Sequence, residues 1–113
     1  MSKTSEISRP RTVAHEELLE RDSKVYRAFL DLEQAAFADG ALPKKTKELV
    51  AIGISVVINC ESCMQWHIEQ AAKAGASEHE VFEAVEVAIE MGGGPATVHA
   101  RFALQVMAEV LPR

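Results

Sequence analysis

The chain has 113 residues, of which 48% are hydrophobic and only 5% aromatic, so its core must be built mainly from Ala, Val, Ile and Leu. This length suits one domain, and folding at this size buries about 60 to 70% of the surface of the unfolded chain, so oligomer formation would add stability. A formal net charge of -5 argues against nucleic acid as a partner, because neutralising phosphates requires a basic surface.

The N-terminal third predicts a polar tail followed by helix. Residues 1–12 lack an apolar stretch and are expected to form a flexible tail, and because they do not resemble a secretory signal we expect the protein in the cytoplasm. Residues 13–113 are predicted to form one helical domain. From about residue 16 to residue 38, apolar side chains recur along one stripe, and Asp22 and Ser23 mark a point where this helix breaks in two.

An uncharged run, LVAIGISVVI, covers residues 49–58. Periodicity alone allows either a buried strand or a buried helix. A helix is favoured because Pro43 suits a first turn and the charged residues 44–48 are typical of a solvated helical surface. Crossing a bilayer requires about 20 apolar residues, so we predict a core helix and expect no membrane partner.

Turn signals divide the C-terminal half. Gly75 provides a left-handed stop for the helix that carries the cysteines, and Ser77 with Glu80 has the form of a capping box that begins the next helix. The glycines at positions 92–94 end that helix, and Pro95 begins the last one. The prediction is an all-α fold, with a single compact helical domain of about five or six helices.

The two cysteines of the chain, Cys60 and Cys63, are followed by His67 at helical spacing, so the three side chains share one face and can meet. A free thiol with a pKa of about 8.5 is mostly protonated at neutral pH, but a helix dipole, a second thiol or an imidazole can activate it. A sulfenic acid that a peroxide forms on one sulfur can then be captured by the other as a disulfide. The pattern favours reversible thiol and disulfide chemistry, which requires no metal or organic cofactor.

Glu48 is the third group of interest. It lies twelve residues before Cys60, about 18 Å away along an uninterrupted helix. If the chain turns near Asn59, the second helix folds back and brings Glu48 to His67. The glutamate would then orient the imidazole, and the imidazole would take the thiol proton of Cys63. The alternative interpretation of Glu48 is a surface carboxylate on the first turns of a helix.

Other interpretations of the cysteines stay open. Both could be inert core thiols, which pack like small hydrophobic residues. They could also bind zinc with His67 and a fourth ligand from His15, His79 or His99, although the second half of a structural zinc pattern is missing downstream. A permanent structural disulfide is disfavoured, because so short a loop restricts the unfolded chain little. If it binds no metal, His99 is expected to be a packed or surface residue, with the alternative that it lines the thiol pocket.

The stretch ELVAIGISVVINCESCMQWH, which begins at Glu48, resembles the signature of the alkylhydroperoxidase D-like group within the carboxymuconolactone decarboxylase superfamily. The shared pattern is a glutamate, eleven residues, Cys-x-x-Cys, three residues and a histidine. With the following AAKAGASEHEVFEAV, the similarity covers about half of the chain. The resemblance implies an all-helical fold that assembles as homotrimers or homohexamers.

The same resemblance implies a redox-active cysteine pair that reduces hydroperoxides and is recycled by a small or protein-bound dithiol. Carried over by position, it makes Cys63 the thiol activated by Glu48 and His67, and Cys60 the resolving thiol that meets the reductant. Ser62 departs from the family pattern, since the best-described hydroperoxidases have a histidine there, and a serine hydroxyl does not hold a proton near neutral pH. The difference bears on peroxidase rate or choice of reductant.

The superfamily also includes lactone decarboxylases that work without the cysteine pair. An alternative function is therefore an acid–base lyase in which His67 and Glu48 handle protons on a lactone acid. In that case the two cysteines would only shape the pocket.

Overall fold

The computed structural model describes residues 2–111, and all regular secondary structure in this part of the chain is α-helical. Six helices are found among these residues, and in chain order they are α1 (Lys3–Glu20), α2 (Lys24–Phe37), α3 (Lys44–Val57), α4 (Glu61–Lys73), α5 (Glu78–Gly92) and α6 (Gly94–Val110). The all-α prediction is confirmed. The helices fall into two compact units, the first ending at Ala38 and the second beginning at Asp39.

In the first unit, α1 and α2 are separated by a tight turn. Asp22 has a left-handed backbone (φ 53°), and the Ser23 side chain then caps α2 by accepting the N–H of Tyr26 at 3.1 Å. The Tyr26 hydroxyl and His15 Nδ1, which lie 2.5 Å apart, join the two helices. The predicted break at Asp22 and Ser23 is confirmed.

The structure differs from the expected flexible tail over residues 1–12, because α1 already begins at Lys3; residue 1 lies outside the described part. The Ser2 side chain caps the helix by accepting the N–H of Ser5 at 3.2 Å. Thr4 is the one residue of α1 that is buried. The part of α1 up to residue 12 carries no apolar stripe, so it leaves no periodic signal in the sequence.

In the second unit, α3 packs against α4 and α5, and α6 packs against α4 and α5. The core is aliphatic with one aromatic side chain, as the composition predicted; its buried members include Ile52, Val56, Met64, Ile68, Ala71, Val81, Val85, Ala88, Ala96, Ala100, Phe102, Ala103, Val106 and Met107. Across the described residues, none of the helices combines the length and the apolar character needed to span a membrane.

Residues 49–58 form most of α3 and its C-cap, so the helix prediction is confirmed and the strand alternative is wrong. The prediction of a core helix holds for one face only. Ile52 and Val56 are fully buried, whereas Val50 and Ile54 are 52% and 56% exposed. An apolar helix is buried on every face only when neighbours pack around its whole circumference. Within a single chain, the other helices cover only part of the circumference of α3.

The predicted boundaries of the later helices are confirmed. Helix α4 ends before Gly75, whose φ is 92°. Ser77 and Glu80 form the capping box, with the Glu80 side chain accepting the Ser77 N–H at 2.9 Å and the Ser77 hydroxyl accepting the Glu80 N–H at 3.1 Å. Gly93 (φ 70°) separates α5 from α6.

Candidate active site

Helix α3 ends in a Schellman motif, and this motif places the first cysteine. Asn59 has a left-handed backbone (φ 58°), and its N–H donates to the Val56 carbonyl at 3.2 Å. The next N–H, that of Cys60, donates to the Ser55 carbonyl at 3.0 Å. Asn tolerates this conformation better than most residues with a side chain. The turn expected near Asn59 is present, and Cys60 closes α3 while serving as the N-cap of α4.

Cys60 and Cys63 are joined by a disulfide, with their Cα atoms 5.2 Å apart. Cys60 Sγ also accepts the N–H of Cys63 at 3.2 Å, which places this sulfur at the positive end of the α4 dipole. Both side chains are half-buried rather than sealed in the core. The pair is therefore in its oxidised form, which two inert free core thiols would not show.

The buried Glu48 and the half-buried His67 form a pair across α3 and α4. His67 Nδ1 lies 2.7 Å from Glu48 Oε1, and the side chains are 15% and 2% exposed respectively. The interpretation of Glu48 as a surface carboxylate is therefore wrong. Burying a carboxylate is costly unless a donor satisfies it, and because an ionised carboxylate only accepts, Nδ1 donates. This leaves Nε2 as the nitrogen of His67 that can accept a proton.

Helix α4 carries one residue of the Glu48–His67 pair and is capped by the disulfide. His67 follows Cys63 by four residues in this helix, so the two side chains lie on one face. The structure thus brings Glu48 to His67, and Cys60 to Cys63, within the first two turns of α4. The assignment of a base to His67 and of a nucleophile to Cys63 remains a prediction.

Two contacts near the site were not predicted. Lys44 Nζ lies 3.9 Å from the second oxygen of Glu48, a four-residue helical spacing that the charge pattern could have indicated. On α6, the Nδ1 atom of His99 lies at a distance of 2.8 Å from the carbonyl oxygen of Val56. This oxygen belongs to the α3–α4 corner, the turn in which the chain passes from the last turn of α3 through Asn59 to Cys60. His99 and Val56 are 43 positions apart, and nothing local in the sequence signals their contact.

The zinc interpretation requires a fourth ligand from one of three histidines: His15, His79 or His99. Among residues 2–111, no group of three His, Cys, Asp or Glu side chains is placed to hold a metal ion. His15 is engaged with Tyr26, and His99 with a main-chain carbonyl. His79 is 90% exposed and lies 3.6 Å from the carboxylate of Glu78.

A family model described as the carboxymuconolactone decarboxylase family matches residues 23–106, well over half of the chain. The chain belongs to the carboxymuconolactone decarboxylase family. The resemblance carried by the sequence from Glu48 to His67 is thereby confirmed. The matched range contains all four predicted site residues, and it includes α2 to α5 with most of α6.

Relatives of this family member include proteins with and without an assigned activity. It is 38% identical over 107 residues to uncharacterized protein 4 in cox locus of Paracoccus denitrificans, which covers 94% of this chain and 96% of that protein. It is 28% identical over 75 residues to the alkyl hydroperoxide reductase AhpD of Coxiella burnetii. That match covers 66% of this chain and 42% of the Coxiella protein.

Solved structures share the fold. A carboxymuconolactone decarboxylase family protein from Legionella pneumophila superposes with a TM-score of 0.91 at 34% identity, over 100% of both chains. A Thermotoga maritima family protein with a suggested part in the antioxidative response gives a TM-score of 0.82 at 31% identity, over 92% of this chain and 88% of that one. The arrangement of α-helices is therefore the alkylhydroperoxidase D-like fold.

Proposed function

We propose that the protein is a thiol oxidoreductase that reduces hydroperoxides through Cys63 and Cys60 and is recycled by an external dithiol. The observation that carries the proposal is the 2.7 Å contact between the buried Glu48 and His67, which lies on the helix that begins with the disulfide. A structural disulfide would not need a histidine oriented by a buried carboxylate one turn away. The names of the Coxiella and Thermotoga relatives point to the same chemistry.

In the first step, His67 Nε2 takes the proton of the Cys63 thiol, while Glu48 stabilises the imidazolium that forms. The Cys63 thiolate attacks the distal oxygen of the hydroperoxide and the O–O bond breaks. Cys63 becomes a sulfenic acid, and the alkoxide leaves as an alcohol by taking the proton held on His67. The peroxide is thus reduced by two electrons, which the sulfur supplies.

In the second step, the Cys60 sulfur attacks the sulfenic sulfur, water leaves, and the disulfide forms. This is the form of the pair in the structure. A thiolate of the external dithiol then attacks Cys60, the S–S bond breaks, and Cys63 leaves as a thiolate. The second thiol of the donor releases Cys60, so one cycle converts hydroperoxide and dithiol into alcohol, water and the donor disulfide.

Self-assembly is the second part of the proposal. A groove of about 560 Å³ lies between α3 and α5, lined almost entirely by apolar side chains: Thr46, Leu49, Val50, Gly53, Ile54, Val57, Ile58, Ala84, Val87, Ala88 and Met91. Val87 and Met91 are 63% and 73% exposed. Helix α2 separately carries an exposed stripe, with Val25 and Leu32 at 83% and 63%. Such surfaces on one small chain support a homotrimer or homohexamer in which copies cover one another.

A lyase is the alternative function, and one observation favours it. The pair of Glu48 and His67 is complete without either sulfur, so it can move protons on a substrate that does not react with thiols. The lactone decarboxylases that give the family its name carry out chemistry of this kind. Replacing both Cys60 and Cys63 by serine separates the two functions, since peroxide reduction should vanish and lyase activity should persist.

The deciding experiment is peroxide consumption by the purified protein with dithiothreitol, using cumene hydroperoxide and hydrogen peroxide. We expect turnover in the parent, none in Cys63→Ser, and loss of both thiols when the reduced parent meets peroxide without reductant. Parent thiols that do not react, together with no turnover, would reject the peroxidase proposal.

A further inference from the structure

We infer that His99 is a positioning residue for Cys60: from helix α6 it holds the corner between α3 and α4 that sets this sulfur at the start of α4. The inference rests on the proposed thiol function. His99 Nδ1 lies 2.8 Å from the main-chain oxygen of Val56.

The direction of this hydrogen bond follows from its acceptor. A main-chain carbonyl has no proton, so Nδ1 of His99 must carry one and donate it. His99 therefore acts on the backbone through Nδ1, whereas the Nδ1 of His67 contacts the carboxylate of Glu48.

The carbonyl that His99 contacts belongs to the Schellman motif. In a continued helix the Val56 oxygen would accept the N–H of Cys60, but here that N–H donates to the Ser55 oxygen. The Val56 oxygen accepts instead from Asn59, at 3.2 Å, and from His99. One bond thus comes from within the corner and one from a different helix, so the corner is tied to α6.

This tie matters most when the disulfide is reduced. In the oxidised protein the S–S bond holds Cys60 against the first turn of α4. After reduction that link is lost, and the corner alone keeps the Cys60 sulfur where it accepts the N–H of Cys63 and feels the α4 dipole. Removing the His99 bond should therefore destabilise the reduced form more than the oxidised form.

The first test isolates Cys60 in the Cys63→Ser protein and measures its alkylation by iodoacetamide as a function of pH. Adding His99→Leu should slow alkylation at neutral pH about two- to fivefold, which is the range of a helix-dipole effect, and should move the pH midpoint upward. His99→Asn keeps a short side-chain N–H donor and should restore most of the rate. Val81→Ala controls for general loss of stability: Val81 is a core residue beside Glu80, which pairs with Lys45 in the first turn of α3, at the opposite end of that helix from the corner.

The second test uses both cysteines and measures the thiol–disulfide equilibrium with dithiothreitol. His99→Leu should favour the disulfide about two- to fivefold, a potential shift of roughly 10 to 20 mV to more negative values for this two-electron couple. Parent-like alkylation and equilibrium in His99→Leu would overturn the inference. So would an equal effect in Val81→Ala, since that would mark a nonspecific response to lost stability.

A measurement on the parent chain covers the case in which His99→Leu does not fold. Long-range ¹⁵N NMR of the neutral His99 ring should show the proton on Nδ1, and a proton on Nε2 alone would overturn the inference. Peroxide turnover is assayed separately. If the parent shows no peroxide turnover while His99→Leu slows the alkylation of Cys60, the positioning role stands and the peroxidase proposal is rejected. If the parent turns over peroxide while His99→Leu leaves the reactivity of Cys60 unchanged, the peroxidase proposal stands and the positioning role is rejected.

Discussion

Replacing Glu48 by glutamine tests the proposed proton relay with little change in shape. The glutamine oxygen can still accept the Nδ1–H of His67, but the negative charge opposite the imidazole is gone. A hydrogen bond to a charged group contributes about 1.5 to 3 kcal/mol, against about 1 kcal/mol for a neutral one. The difference of about 0.5 to 2 kcal/mol corresponds to a rate loss of roughly two- to thirtyfold.

The assay is the second-order rate at which the reduced protein consumes cumene hydroperoxide in a single turnover, followed by loss of thiols. Glu86→Gln is the matched control, since this glutamate is exposed on α5, and its rate should equal that of the parent. His67→Leu removes the base itself and should cost about a hundredfold or more. Because Glu48 acts through His67, Glu48→Gln should add nothing further in the His67→Leu background.

Two results would refute this reasoning. One is a parent-like rate in Glu48→Gln while His67→Leu loses activity, because the charge would then be irrelevant to the imidazole. The other is a full, additive loss in the double variant, because Glu48 would then act on the thiol by a route that bypasses His67.

The remaining predictions concern stability and assembly. Ser77→Ala should lower the free energy of unfolding by about 1 kcal/mol in urea titrations, since it removes the α5 cap; an unchanged midpoint would contradict this. A hydrogen bond from the Ser77 N–H, and then Lys45, lower the pKa of Glu80. The ionised Glu80 therefore stabilises the folded protein fully at pH values above the usual glutamate pKa of about 4.3. This stabilisation is lost as the pH falls through the lowered pKa of Glu80. The stability difference between the parent and Glu80→Gln should therefore shrink on acidification, whereas a difference that grows would reverse the sign. Val87→Lys should reduce the assembled mass in analytical ultracentrifugation, whereas Glu86→Lys, outside the groove, should not; equal masses in both would argue against the groove as an interface.

Much of the second unit could be predicted from local sequence. The Gly75 stop, the capping box at Ser77 and the glycine turn before α6 each depend on a few neighbouring residues with defined backbone preferences, and all three were found. The spacing of Glu48, Cys60 and His67 was similarly informative, because a turn at Asn59 converts it into a contact. The contact of Glu48 with His67 was anticipated only on the condition of that turn.

The features that were missed depend on non-local packing or on weak patterns. Nothing near His99 indicates that it reaches a carbonyl 43 residues away, since this contact arises from how α6 packs against α3. The part of α1 up to residue 12 escaped prediction because it is polar, begins with a side-chain cap and carries no apolar stripe. The exposed half of α3 was missed for a third reason: composition shows that a helix is apolar, but not how many neighbours surround it.

Helix α3 also sets a strict spacing rule for this site. Glu48 lies in its second turn, and the corner that orients Cys60 directly follows its last residue. One residue inserted between them would rotate Glu48 by about 100° around the helix axis and point it away from α4. Four inserted residues would nearly restore the direction but move the carboxylate about 6 Å along the axis. The interval between Glu48 and Cys60 therefore cannot change by even one residue without separating the carboxylate from His67.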